Sequence, residues 1–165
     1  MPLQAQGEFA LVKERMEPAM VLSGQPVKRG TMAHEHIVYM MLVDSAATAR
    51  DEKSILKYAP LLEELALRDD HKPYYAVSCR AFGIAHMLKG EYQQAEERLQ
   101  QALKIYDELD ASWQRGRTLR ELGELASLRG NSEISKKMFT QALNAFEKVK
   151  AKPDADLTKA RLDSL

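Results

Sequence analysis

The chain has a single cysteine, Cys79, no excess of charge of either sign, and few aromatic residues. A lone thiol cannot close an internal disulfide, so the fold must hold without one, and a reducing compartment, the cytoplasm, is expected. Lysine plus arginine and aspartate plus glutamate both number 24. The net field that draws a protein to nucleic acid or to an anionic membrane is therefore missing. No apolar run approaches the roughly 20 residues that cross a bilayer. Residues 1–8 offer neither a basic segment nor an apolar signal core. Aromatics make up 7% of the residues, and the good helix formers Ala, Leu, Glu, Lys, Gln and Arg dominate. Phosphate loops, nucleophile elbows, dinucleotide fingerprints and HExxH or paired-cysteine metal motifs do not occur, so neither an enzyme nor a cofactor is expected. His34 and His36 stand two apart, about 200° around a helix, and cannot share an ion.

What the chain does have is an internal repeat. Leu88-Lys89-Gly90-Glu91-Tyr92 leads into Ala95, Leu99, Ala102-Leu103 and Tyr106. Leu128-Arg129-Gly130 leads likewise into Phe139 and Ala142-Leu143, 40 residues later. A fainter copy begins at Gly7-Glu8-Phe9. A fixed period of this size specifies stacked helix pairs, which makes binding or scaffolding the leading role.

The apolar periodicity predicts the pairs. In the clearest, helix A spans 73–89 and helix B 92–109, with Pro73 suited to the first helical turn and Gly90 to the left-handed stop. The next pair spans 113–129 and 132–149. It is stopped by Gly130, capped by Asn131 or Ser132, and supported by a Glu133–Lys137 pair. An earlier, degenerate pair spans 31–49 and 52–69. There Asp51 stands in for the turn glycine, and Pro60 should kink or end the second helix. Residues 7–22 read as a lone B helix, 23–30 as a linker, and 150–165 as a C-terminal cap or tail. An array opening in mid-repeat is either irregularly capped or part of a longer protein.

Gly83, Gly90, Tyr92, Ala95, Leu99 and Ala102, and in the next repeat Gly123, Gly130, Ser132, Ser135, Phe139 and Ala142, resemble the tetratricopeptide repeat pattern. The aromatic after the turn is lost in the second copy, and Ser135 replaces the expected alanine. The longer period is similar to the repeats of bacterial signalling ATPases and transcription regulators. The resemblance implies one all-α domain over 1–165, a right-handed superhelix of antiparallel helix pairs. Its A helices would line a concave groove that binds a peptide or partner domain.

Carried over by position, the groove residues are Val77, Arg80, Ile84 and Met87 in one repeat and Arg117, Arg120, Glu124 and Ser127 in the next. In the first repeat they fall near Val38, Met41, Ser45 and Thr48. Arg80, Arg117 and Arg120 either form an anion-binding wall for an acidic protein partner or are paired with Glu121, Glu124 or other acids. The family's carboxylate clamp is not expected, because Asn131 and Asn144 lie outside the A helices. Trp113 reads as packing between repeats rather than as a base-stacking platform, and Cys79 as a buried thiol. Methionines gather in the N-terminal third. Met16, Met20, Met40 and Met41 either fill a core or form a face through which two copies pair as a homodimer.

Overall fold

The computed structural model describes residues 9–21 and 32–165, and within them the side chains other than those of 18–21 and 32–35. The expected linker at 23–30 and the side chains of Met20 and His34 lie outside the described residues. Among the described residues eight helices run in order: α1 (Phe9–Val21), α2 (Met32–Thr48), α3 (Glu52–Arg68), α4 (Lys72–Leu88), α5 (Tyr92–Glu108), α6 (Ser112–Leu128), α7 (Ser132–Lys148) and α8 (Lys152–Asp163). Among the described residues there is no strand, and no helix is long and apolar enough to cross a membrane. From α2 onward a helix begins every 20 residues, and α2 to α7 each hold 17 residues.

The connections are as regular as the helices. Residues 50, 70, 90, 110, 130 and 150 all have positive φ. The amide of the following residue donates to a carbonyl five residues back, as in Asp51 to Ala46 (2.9 Å), Glu91 to His86 (2.9 Å) and Asn131 to Ala126 (2.9 Å). These bonds satisfy carbonyls that a helix end leaves open. Glycine holds the left-handed place only at Gly90 and Gly130; Arg50, Asp70, Asp110 and Lys150 hold it elsewhere. In the first repeat the turn residue is thus Arg50. Asp51 is instead the cap of α3, accepting from the Ser54 amide at 3.1 Å. Asn131 does the same for α7.

Pro60 neither ends nor divides α3, which continues to Arg68. Pro60 and Leu56, the residue whose carbonyl loses a partner, are both exposed. Water can therefore solvate that carbonyl, while Ile55, Ala59, Leu62 and Ala66 keep the buried stripe.

Each helix packs chiefly on its neighbours in sequence; α2 also packs on α4, and α4 more lightly on α6, whereas α3, α5 and α7 do not pack on one another comparably. The A helices therefore form the inner wall of a solenoid of helix pairs. Small residues set the closeness of each pair. A Cβ on Gly83 would lie 2.6 Å from Leu99 Cγ, and one on Gly123 2.9 Å from two Phe139 ring carbons. Ala102 lies with Ala76, Cys79 and Tyr106. Ser135 keeps its hydroxyl satisfied in the core by donating to the Gly123 carbonyl at 2.9 Å. The helix α1 docks on the first pair through buried Val12, with Lys13 2.8 Å from the Ser54 hydroxyl and Glu17 accepting from Tyr58.

Candidate functional site on the inner wall

The 40-residue register defines the inner wall. Counting back from Val77, Arg80, Ile84 and Met87 reaches Ile37, Met40, Asp44 and Ala47, one residue before the positions expected from the sequence. The displacement follows from the turn falling at Arg50. It places an aspartate, not a serine, opposite the arginines.

Asp44 is the centre of the wall. Arg80 Nη2 donates to Asp44 Oδ1 at 2.7 Å, and Arg117 Nη1 donates to Asp44 Oδ2 at 2.9 Å. Arg80 Nη1 also donates to Gln114 Oε1 at 2.6 Å, and Arg117 Nη2 to Thr48 Oγ1 at 2.9 Å. Arg80 is 2% and Arg117 9% exposed. The Arg80 guanidinium lies 5.6 Å from the Tyr106 ring centre, and that of Arg117 4.8 Å from the Trp113 ring. Burial pushes the Asp44 carboxyl up, but the charges and hydrogen bonds of Arg117 and Arg80 outweigh it and hold the group below the usual range. Burial also pushes the Tyr106 phenol up, and its hydroxyl is buried without a hydrogen-bond partner. Nearby, Arg50 Nη1 stands 2.7 Å from Glu121 Oε2.

These bonds join α2, α4 and α6, so the first and third repeats meet through side chains across the second. The structure brings Arg80 and Arg117 together, but around the chain's own Asp44 rather than facing outward. Val77, Ile84 and Met87 are buried. Arg120 stands apart, 3.6 Å from Asp154 on α8. Glu124 accepts from Arg161 Nε at 3.0 Å, and Ser127 accepts from Arg161 Nη2 at 3.1 Å. Arg120, Glu124 and Ser127 stay half-buried.

Trp113 spans repeats, its Nε1 donating to Asp154 Oδ2 at 2.9 Å while the ring is partly exposed. Met16 and Met40 pack against the core of α2, α3 and α4, and Met41 is half-buried. His36 is buried, with Nε2 3.0 Å from Asp69 and the ring stacked near Tyr74. Cys79 is buried, and burial pushes its thiol up to about 11.

Asp44, Gln114 and Leu157 escaped the sequence reading. Leu157 occupies the register place of Val77 and Arg117, yet it is 65% exposed. A 40-residue count anchored on the positive-φ turns finds Asp44 and Leu157.

Residues 76–148 match the family model described as Tetratricopeptide repeat. Such repeats generally mediate protein–protein interaction. No curated protein matches the chain. Among solved structures it is similar to BtubC (BKLC) from P. vanneervenii, with a TM-score of 0.65 and 12% identity, over 98% of this chain and 74% of that one. At that identity the likeness speaks for the fold alone.

Proposed function

We propose that this chain is a non-catalytic protein-interaction module that takes its partner on the C-terminal half of the inner wall. The observation that carries this reading is Leu157, 65% exposed and so the least covered of its register place, where Val77 and Arg117 are buried and Ile37 is 43% exposed. Leucine in water gains about 1.5–3 kcal/mol when covered, which suits a contact surface. Arg120, Glu124 and Ser127 lie on the neighbouring helix of that wall. Arg80 and Arg117 act differently in this reading. Their charge is matched by Asp44, so they hold the wall's shape, and any preference for an acidic partner falls to Arg120. The 40-residue spacing supports a place among the longer repeats of bacterial signalling and transcription-regulating proteins.

The test is site-specific photo-crosslinking. A crosslinker at position 157 should capture a protein partner that the same group at Lys104, on the outer helix α5, does not. Leu157→Asp should weaken binding of that partner about tenfold or more with unchanged helicity. Equal capture at both positions, or unchanged affinity of the variant, would overturn the reading.

A further inference from the structure

A cleft of about 510 Å3 opens on the opposite side of the third repeat, between α5, α6 and α7. Leu122, Leu125 and Met138 line it, Ile134 stands 48% exposed at its edge, and polar side chains, among them Glu96, Arg129 and Lys137, form the rest of its wall. The register supplies an internal comparison, because the same place exists 40 residues earlier. There Phe82 stands for Leu122 and Arg98 for Met138. The Arg98 guanidinium lies 4.9 Å over the Phe82 ring and donates to Glu63 at 2.8 Å. The second repeat therefore covers this place with its own side chains.

In the third repeat every part of that cover has changed. Leucine is smaller than phenylalanine, methionine cannot bridge to an acid, and the counterpart of Glu63 is Leu103. Gln94 has become Ile134, and Glu97 has become Lys137. These five changes replace the cover of Phe82, Arg98 and Glu63 with a cleft whose floor is the buried Leu122 and Leu125 and whose rim carries the exposed Ile134 and Lys137.

The charges at the rim indicate what would cover the cleft. Arg129 is paired with Glu96. Lys137 forms no ion pair with Glu133, the partner expected from their spacing, nor with any other described residue. We infer that the cleft is a docking site for a short segment of another protein, one that inserts a large apolar side chain between α5 and α7 and sets a carboxylate on Lys137. A segment of that chemistry completes the cover that Phe82, Arg98 and Glu63 provide one repeat earlier. This surface is separate from the inner wall, and its occupancy does not depend on binding there.

A displayed pool of random short peptides, panned on the full chain, tests the inference. The selected peptides should share a large apolar residue next to Asp or Glu. Their affinity, read by fluorescence anisotropy, should fall about tenfold or more in Leu122→Phe/Met138→Arg, which rebuilds the second repeat's cover. Lys137→Glu should reject the acidic peptide and accept its lysine-substituted form. Ile134→Gln, at an exposed position, gives the same readout should the double variant fold poorly. Leu157→Asp should leave this binding intact. Peptides without the apolar–acidic pair, no selected peptide, or affinities that respond to Leu157→Asp but not to the cleft variants would overturn the inference and leave the inner-wall reading to stand or fall by itself.

Discussion

Asp44 faces two guanidinium groups with one carboxylate, and its two oxygens are divided between them. Removing one partner of a buried ion pair leaves uncompensated charge, at a cost of about 3–5 kcal/mol. Asp44→Asn should therefore lower unfolding free energy by about 3 kcal/mol, measured by urea denaturation. The folded carboxyl sits below its ordinary value of 3.8. Its contribution is complete above that pH and fades as pH falls through the lower folded value. Acid melts of Asp44→Asn should lose that part of the slope; a variant with the wild-type acid profile would show that the pairing adds no stability. Cys79 gives a second check at this scale. With its thiol pushed up to about 11, the native protein should resist alkylation at neutral pH and react only on unfolding.

The helices owe their regularity to turn chemistry. Left-handed backbone costs a side-chain-bearing residue about 1–2 kcal/mol, and glycine escapes this. Lys150→Gly should thus raise the melting temperature by a few degrees, whereas Gly90→Ala, at φ +77 with open space around it, should lower it by a similar amount. Gly123→Ala destabilises for another reason. Its new Cβ would stand 2.9 Å from the Phe139 ring, and such overpacking costs about 1–3 kcal/mol. Equal effects of Gly90→Ala and Gly123→Ala in a Phe139→Leu background, where the ring is gone, would argue against that distinction. Most helix spans were legible in the sequence because glycines and apolar stripes mark them. The first repeat was not aligned correctly, since Arg50 carries no sign of a turn and Asp51, a capping residue, looked like its replacement. Pro60 does not end its helix, because a helix tolerates proline when the freed carbonyl faces water.

At the scale of the whole molecule, the contact of Asp44 and Thr48 with Arg117 ties the first repeat to the third. A solenoid whose repeats touch only their neighbours can unravel from its ends. This link should make α2 open together with α6. In Arg117→Met, native-state hydrogen exchange should show α2 and α3 opening more readily than α6 and α7; unchanged relative protection would mean that the link carries no cooperativity. The far end is built differently. Where α4 and α6 present Ala76 and Gly116, Cys79 and Leu119, and Gly83 and Gly123 to their B helices, α8 presents exposed Asp156, Lys159 and Asp163. It packs on α7, with Ala155 against the cluster of Leu119, Ala142 and Phe146, and polar bonds tie it to α6, from Arg161 to Glu124 and Ser127, and from Trp113 and Arg120 to Asp154.

The sequence by itself determined the repeat, its 40-residue period, the all-helical class and most helix boundaries. Each of those depends on local terms: apolar spacing, turn glycines and caps. It also contained the arginines of the inner wall, but it did not say what they face. A side chain's partner across 36 or 73 residues depends on the curvature that accumulates over successive helix pairs. A one-residue shift in one turn is enough to exchange Ser45 for Asp44 opposite a guanidinium. Only the tertiary structure could show that Arg80 and Arg117 close on an internal carboxylate while Leu157 and the cleft beside Ile134 stay open. Burial and charge pairing are settled where distant segments meet, and that meeting is a property of the assembled solenoid.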